Sequence, residues 1–401
     1  TAGGACGRKR DHASAPARLH RGRTHERCEF VLHHPCACVG QCAGAGVCVC
    51  HRFVECEHDF GFGLVVLAFA TAAAAEPPFK QGRPSPFEWA KSGAKAAYDA
   101  KAAGGGKVVG GQVTLQSSGS TLNVNQTSQR GAVEWGSFNV GTQSRVNFNQ
   151  PSASAVTLNR ILDMNASQIL GRINATGQVF LTNPNGIIFG STAQVDVGGL
   201  VATTKTINDA DFFNGKTTFE GNGGAASVIN QGMLQAALGG YIALLAPQVR
   251  NEGVIVAREG TVALAAGDKT TLEFTGNKLV SVIVERAVID ALVENKQLIQ
   301  ADGGFVVMSA RSANAILSSV INQTGTLQAP SLVQRDGRIL LEGGDKGVVN
   351  AGGVMNVSGT QAGTTGGRIV VTGDKVAIKQ DALLDATGQT LTITLGTTTL
   401  S

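Results

Sequence analysis

The hydrophobic and polar positions from Val108 onward predict a long series of short β-strands. Runs of Val, Ile, Leu and Thr are interrupted every few residues by Gly and Asn, a pattern typical of strands separated by turns. Apolar residues at helical spacing are rare. Residues 285–294 are an exception and predict one short helix outside the sheet. Residues 207–213 break the strand pattern and predict a second excursion.

A short motif recurs within this region and defines a repeating unit. It begins at Asn230 and returns at Asn251, at Asn295, with one inserted residue at Asn322, and more loosely at Asn350. The interval from Asn251 to Asn295 is about twice the first one, so we interpret it as two units. Each copy precedes a second strand that opens with a glycine; these glycines are Gly240, Gly260, Gly304, Gly337 and Gly367.

A unit of this size cannot bury its own apolar face, so the copies must stack on one another. We therefore predict an all-β protein, a right-handed parallel β-helix (single-stranded solenoid) with short extra-helical elements. Roughly 300 residues at about 20 per coil predict about 15 coils and a rod about 70 Å long. The recurring asparagines are expected at one corner in the αL conformation, forming hydrogen-bonded ladders. The glycines suit tight corners. A β-sandwich or β-propeller is the alternative, but repeating hairpin turns are not found.

The apolar run at residues 60–75 predicts a secretory signal peptide. It is too short to span a membrane and ends in small residues that offer a cleavage site near Ala75. Acidic residues at Glu55, Glu57 and Asp59 occupy the flank where positive charge belongs. We assign residues 59–76 to this signal-like segment, with a buried apolar segment as the alternative.

Cysteine and histidine are confined to the front of the chain. All 8 cysteines lie at or before Cys56, and all 7 histidines at or before His58. Cys38 and Cys42 have the spacing of one zinc-binding pair, but no second matched pair follows. We interpret residues 1–58 as a disordered segment that is not native mature sequence; an adventitious metal-binding segment and a disulfide microdomain remain open.

Residues 77–106 are assigned to a linker, in which an Ala- and Lys-rich stretch predicts a short helix that ends at three glycines. These glycines do not form a phosphate-binding loop, because the GxxxxGK[ST] spacing fails beside Lys107. The net charge of +4 is too small to indicate a nucleic-acid partner, and we predict none.

Three stretches, residues 124–141, 146–161 and 167–204, carry the most specific pattern in the chain. They contain Asn-Arg-Ile at 159–161 and Asn-Pro-Asn-Gly-Ile at 183–187. In this order they resemble the amino-terminal secretion domain of two-partner-secretion exoproteins, also called the filamentous-haemagglutinin-type or haemagglutination-activity domain. The residues that we take as the domain signature are Asn125, Gln126, Trp135, Phe138, Asn139 and Gly141.

The resemblance implies export from a Gram-negative bacterium to the cell surface or the medium. Such proteins remain unfolded in the periplasm, are recognised by periplasmic modules of an outer-membrane β-barrel transporter, and fold outside, coil upon coil. A body without cysteine suits this route, because the oxidising periplasm forms disulfides that would lock bulky loops. Strand addition is the expected recognition mode. We assign residues 107–275 to the secretion domain and 276–401 to continuing, truncated repeats.

Two roles stay open for the motif residues. The turn formed by Asn183, Pro184, Asn185, Gly186 and Ile187 acts either in recognition by the transporter or only in the fold, as turn chemistry favours. The same two roles apply to Asn159 and Arg160. For Trp135 and Phe138 we favour contacts in the core or cap over contacts with the partner.

The alternative function is a β-helix enzyme that degrades polysaccharides, or a surface protein that binds them. Such enzymes need clustered carboxylates, whereas the aspartates here are scattered except for Asp209 and Asp211. The body also lacks the histidine and cysteine of nucleophilic schemes. We predict no enzyme activity and no catalytic, metal or cofactor site. Host-cell or glycan receptors are expected to bind a region beyond residue 401.

Overall fold

The computed structural model describes residues 103–313, 319–359, 361–362 and 364–388, together with the backbone of three earlier strands. The chain divides into two units, Thr1–Phe79 and Lys80–Ser401. The first unit contains a three-stranded antiparallel sheet that the sequence did not predict, with β2 between its neighbours. Its strands are β1 (Arg27–Phe30), β2 (Cys38–Ala43) and β3 (Val47–Val49). These strands lie within residues 1–58, which the sequence predicted to be disordered, so that prediction is wrong for them. The predicted signal peptide, the linker helix and the side chains of the cysteines lie outside the described residues.

The second unit consists almost entirely of strands. The first group comprises β4 (Gly104–Gly110), β5 (Val113–Ser118), β6 (Thr121–Gln126), β7 (Arg130–Ser137), β8 (Arg145–Asn149), β9 (Val156–Ile161), β10 (Ser167–Ile169), β11 (Arg172–Ala175), β12 (Gln178–Thr182), β13 (Ile187–Phe189), β14 (Gln194–Thr203), β15 (Thr218–Glu220), β16 (Ser227–Asn230) and β17 (Met233–Ala246). One helix, α1 (Asp209–Phe213), lies between β14 and β15.

The remaining strands continue the same pattern towards residue 388. They are β18 (Gln248–Asn251), β19 (Val254–Val256), β20 (Thr261–Ala266), β21 (Lys269–Thr275), β22 (Lys278–Arg286), β23 (Leu292–Asn295), β24 (Leu298–Gln300), β25 (Phe305–Ala310), β26 (Ser319–Gln323), β27 (Thr326–Gln328), β28 (Arg338–Glu342), β29 (Val348–Ala351), β30 (Val354–Asn356), β31 (Arg368–Thr372), β32 (Lys375–Ile378) and β33 (Leu383–Asp385).

Three parallel faces enclose the core, which confirms the predicted parallel β-helix. The first face stacks β6, β8, β11, β14, β17, β19, β24, β27, β30 and β33. The second face stacks β7, β9, β12, the ends of β14 and β17, and then β20, β25, β28 and β31. The third is an 8-stranded sheet from β10 to β32. Alternate Val, Ile and Leu side chains from all three faces fill the interior.

The coils are longer and fewer than predicted. The first face stacks ten strands in the part of the chain described, which at about 4.8 Å per coil makes a stack about 43 Å long. The interval from Asn251 to Asn295 is one coil and not two, because β18 pairs directly with β23. The additional residues form the antiparallel hairpin β21–β22, which lies outside the coil. Each coil contains a third strand in addition to the two strands of the repeated motif. Insertions such as this hairpin lengthen some coils further.

The recurring asparagines form the predicted ladder on the third face. Asn230 Nδ2 donates to Asn251 Oδ1 at 2.8 Å, Asn251 donates to Asn295 at 2.7 Å, and Asn295 donates to Gln323 Oε1 at 2.9 Å. All four side chains are fully buried. The fourth position is taken by Gln323 and not by Asn322, because the inserted residue in that copy shifts the register by one.

The αL conformation predicted for these asparagines is wrong. Each of the three is the last residue of a strand, with its amide turned into the interior. The non-glycine residues with positive φ in the described chain lie elsewhere, at Glu259, Asp290 and Gln334. A buried amide ladder satisfies its own donors and acceptors from an extended backbone and needs no left-handed corner.

The corner between the first and second faces is a column of glycines, as predicted, but its cause is close approach and not a positive φ. A Cβ on Gly260 would lie 1.9 Å from the carbonyl oxygen of Gly240 in the preceding coil. A Cβ on Gly304 would likewise lie 2.2 Å from Gly260 O, and one on Gly367 would lie 2.1 Å from Gly337 O. Neighbouring coils therefore stack backbone on backbone at this corner.

Two further predictions are wrong. Residues 285–294 are not a helix: they comprise the end of β22, a turn and the start of β23, because Val288 and Val293 alternate into the β-helix core. Gly104, Gly105 and Gly106 are not a linker but the start of β4, which pairs antiparallel with β7 and covers Trp135.

An extra-helical layer covers the second face. The predicted excursion at residues 207–213 contains α1, and β15, β21 and β22 form a three-stranded antiparallel sheet. Both pack on the second face through a separate apolar core that includes Phe180, Phe212, Phe219 and Tyr241. Among the residues described, no helix has the length and apolar character required to cross a membrane.

Candidate functional site

Asn159 lies inside the β-helix and holds the indole of Trp135. Its Oδ1 accepts a hydrogen bond of 3.0 Å from Trp135 Nε1, and its Nδ2 lies 3.3 Å from the carbonyl oxygens of Thr157 and Phe180. The side chain is completely buried. An amide is the group that can satisfy an indole donor and two carbonyl acceptors at once.

We expect Asn159→Ala to lower the free energy of unfolding by about 3 kcal/mol, since it leaves the Trp135 donor unsatisfied and opens a cavity. Chemical denaturation of the purified chain measures this loss. Asn123→Ala is the matched control, because that asparagine is only part-buried and faces outward on β6. Equal stability of the two variants would contradict this role for Asn159.

The side chain of Arg160 points out of the β-helix and binds both the coil and the extra-helical layer. Its guanidinium lies 3.4 Å from Glu134 Oε1 on β7 and 2.5 Å from Asp209 Oδ1 on α1, and it donates to the carbonyl of Ile207 at 3.1 Å. The hydrogen bond that Arg160 donates to the Asp209 carboxylate is the main reason that the pKa of Arg160 is raised. The residue therefore joins two successive coils to the excursion.

Asn183 begins a turn that is bonded to the preceding coil. Its Oδ1 accepts from the backbone N–H of Asn185 at 2.9 Å, which closes an Asx turn. Its Nδ2 donates at 3.0 Å to both the carbonyl of Asn165 and the hydroxyl of Ser167. The side chain is fully buried. Asn183 is thus a structural part of the corner.

The outer half of the same turn is open to solvent. Asn185 is exposed and donates through Nδ2 to the carbonyl of Asp163 at 2.8 Å, and Pro184 is partly exposed.

The turn ends on two buried residues. Gly186 has a φ of 112°, which only glycine adopts without strain, and a Cβ there would lie 3.0 Å from Ser227 O. Ile187 then begins β13 and is buried in the core.

The structure brings the two sequence motifs together. The loop that leaves β9 after Ile161 supplies the carbonyls of Asp163 and Asn165 that Asn185 and Asn183 bind. Sequence reasoning missed this loop, because backbone acceptors leave no trace in residue type. The loop also carries Leu162 and Met164, which are 59% and 67% exposed, so the turn has an apolar border.

The other signature residues maintain the first coils. Gln126 is buried, accepts from Thr157 Oγ1 at 2.7 Å and donates to the carbonyl of Ser128 at 2.7 Å. Trp135 and Phe138 are core residues whose rings meet edge to face, with centroids 5.4 Å apart. The remaining contacts are those of Asn125 Oδ1 with Asn149 Nδ2 (2.7 Å), Asn139 Oδ1 with the N–H of Gln168 (2.7 Å) and Gly141 O with the N–H of Ser144 (2.8 Å).

The two aspartates considered for catalysis are separately ion-paired. Asp209 binds Arg160, and Asp211 lies 2.9 Å from Lys216 Nζ. Within the described part of the chain, no three His, Cys, Asp or Glu side chains are grouped so that they could hold a metal ion. At both motifs the side chains close turns, fill buried positions with hydrogen-bonded amides and bind successive coils together.

Residues 100–357 match the family described as the TPS secretion domain. The chain belongs to this family. A TPS secretion domain is recognised by an outer-membrane transporter, through which its exoprotein is secreted. The family is a secretion-domain family and not an enzyme family.

The chain is similar to two proteins and to one solved structure from Haemophilus influenzae. A heme/hemopexin-binding protein is 32% identical over 257 residues, which are 60% of this chain and 27% of that protein. A second protein of the same description is 29% identical over 260 residues, 59% and 27% of the two chains. The crystal structure of the HMW1 secretion domain has a TM-score of 0.65 at 30% identity, covering 71% of this chain and 73% of that one. The chain thus spans about a quarter of the length of the two relatives.

Proposed function

We propose that this TPS secretion domain is recognised, while unfolded, by periplasmic modules of its outer-membrane β-barrel transporter, and that its first coils then nucleate β-helix folding at the cell surface. The bonds from Asn183 and Asn185 to the preceding loop carry this proposal. These bonds form only when the coil before the turn is already in place. In this proposal the transporter recognises the turn residues while the chain is extended. In the folded chain the same residues bind the preceding coil, which serves as the template for the next one.

The two asparagines of the turn are assigned different roles in this proposal. Asn183 is buried with three hydrogen bonds and acts through the fold. Asn185 is exposed with a single side-chain bond, so the folded coil depends little on its amide. We therefore assign Asn185 and the adjacent Pro184 to recognition, which takes place while the chain is unfolded. The relatives named for heme and hemopexin share only this part of their length with the chain, so the proposal concerns export and not a ligand.

Two variants separate export from folding in one experiment. We expect Asn183→Ala to refold poorly and to be exported poorly, because it leaves the carbonyl of Asn165 and the hydroxyl of Ser167 without their donor. We expect Asn185→Ala to refold as the wild type, within about 0.5 kcal/mol, and to lose most of its export. Secretion with the cognate transporter and refolding of the purified chain are measured in parallel.

Asn149→Ala provides the matched control, since this exposed asparagine makes a single outward side-chain bond to Asn125 on the first face. It should be exported and refold normally. Normal export of Asn185→Ala would remove the recognition role of the turn, and a folding defect equal to that of Asn183→Ala would make both asparagines structural.

A further inference from the structure

The outer edge of the extra-helical sheet is a long apolar strand without a neighbour in the described residues. In the order β15–β21–β22, β22 is the last member and pairs only with β21. Its centre, residues 279–284, contains no charge, proline or glycine. Val280 and Ile283 are 44% and 42% exposed on this strand. Exposed edges of this kind are ready templates for another strand, and proteins usually block them.

A groove runs along this edge. It has a volume of about 430 Å³ and is lined on one side by residues 282–285 of β22. The ends of β25 and β28 line the other side, through Ser309, Ala310, Arg311 and Glu342. The groove therefore places an unpaired strand edge beside the second face of the β-helix, where a fourth strand of the extra-helical sheet would lie.

The polar groups of the groove indicate how an occupant would bind. Arg311 Nη1 donates to the carbonyls of Val284 and Glu285 at 3.2 and 3.3 Å, so the carbonyl of Val284 faces the groove. Leu272, the partner of Val282 on β21, directs its N–H to the carbonyl of Thr217 on the other side. Leu272 and Val282 are therefore a non-hydrogen-bonded pair, and the N–H and C=O of Val282 point away from β21 towards the groove. Val282 thus offers a free donor and acceptor for main-chain pairing, and Arg311 closes one end.

The charged side chains that line the groove indicate which kind of strand would bind there. Arg311 is held by the carbonyls of β22, and Glu285 is paired with Lys269 at 3.2 Å. Glu342 has no cation within ion-pair distance in the described chain and accepts only from Ser309 Oγ, at 3.0 Å. A carboxylate without a cation, beside an apolar edge, is complementary to a strand that carries a positive side chain.

We propose that this groove binds an extended β-strand of another polypeptide, paired with Val282 through its backbone and with Glu342 through a Lys or Arg side chain. This binding belongs to the folded domain and is separate from export, which concerns the unfolded chain. Alternate side chains of the added strand would pack against Val282 on one face and Ile283 on the other.

The test is a titration of the full folded chain with short labelled peptides, followed by fluorescence anisotropy. The probes are acetyl-TVTVTK-amide, its Glu-ended counterpart acetyl-TVTVTE-amide, and acetyl-TVPVTK-amide, in which proline removes a backbone donor. We expect the Lys-ended peptide to bind, the Glu-ended peptide to bind about 5-fold more weakly, and the proline peptide at least about 10-fold more weakly.

Two substitutions on β22 form a matched pair. Ile283→Lys should weaken the Lys-ended peptide at least about 10-fold, since it places a charge on the edge that the peptide covers. Val280→Lys should leave binding unchanged, because Val280 has the same exposure on the same strand but does not line the groove. Glu342→Gln should abolish the preference for the Lys-ended over the Glu-ended peptide.

Circular dichroism and the unfolding midpoint verify that each variant is folded. Failure of all three peptides to bind overturns the proposal, as does equal weakening by Ile283→Lys and Val280→Lys. Dimerisation of the wild type by light scattering, abolished by Ile283→Lys, would identify a second copy of the chain as the occupant and overturn the proposed partner.

Discussion

Gly260→Ala is expected to lower the free energy of unfolding by about 3 kcal/mol or more, one of the two largest effects that we predict. The new Cβ would lie 1.9 Å from Gly240 O and within 3.2 Å of two further backbone atoms of Gly240. No side chain can rotate away from this clash. The coils must separate locally, which breaks main-chain hydrogen bonds on both adjoining faces.

The measurement is the denaturant midpoint of the purified chain, with Gly136→Ala as the control. The nearest atom to a Cβ at Gly136 is Gly104 O at 3.8 Å, an ordinary contact. This control should be as stable as the wild type, to within about 0.5 kcal/mol. If Gly260→Ala were equally stable, the glycine column would not determine the stacking of the coils.

Lys205 carries the second large prediction, a strong dependence of stability on pH. The side chain is 1% exposed between the second face and the extra-helical sheet, and its Nζ donates to Thr270 Oγ1. Burial lowers the pKa of Lys205 from 10.5 to about 7, although the Asp268 carboxylate acts to raise it and Arg286 acts to lower it. The charged form is therefore disfavoured in the folded protein.

The folded state consequently binds fewer protons than the unfolded state between about pH 7 and pH 10.5. Stability should rise with pH through this window, by on the order of 5 kcal/mol in total, and the full cost of the buried charge should be present below about pH 7. Lys205→Met should abolish this rise and stabilise the chain at neutral pH, because an apolar side chain of similar length fills the site.

Unfolding free energies of the wild type and Lys205→Met, measured from pH 6 to pH 10 at constant ionic strength, test this directly. Lys216→Met is the control, since Lys216 is largely exposed on the same excursion and should retain the wild-type profile. Parallel profiles for the wild type and Lys205→Met would show that the buried amine does not set the pH dependence.

The motif residues show how far sequence reasoning reached into the candidate site. The resemblance to the secretion-domain family selected Asn159 and Asn183, and turn chemistry favoured a role in the fold for the turn that begins at Asn183. They did not reveal that the loop after β9 supplies the acceptors for the turn, or that Arg160 binds Asp209, since those partners lie in other coils or on the excursion. Lys205 was missed for the same reason: its burial comes from the extra-helical sheet.

The sequence by itself determined the parallel β-helix, the amide ladder and the glycine corner, because a repeated strand pattern and a recurring Asn or Gly follow directly from stacking in register. The tertiary structure alone decided the number of coils, the place of the hairpin β21–β22 and the cause of the glycine column. These depend on which strands pair across insertions and on how closely two backbones approach, as Gly240 and Gly260 show. Distances between coils are set by packing across the whole stack, and no local pattern of residues encodes them.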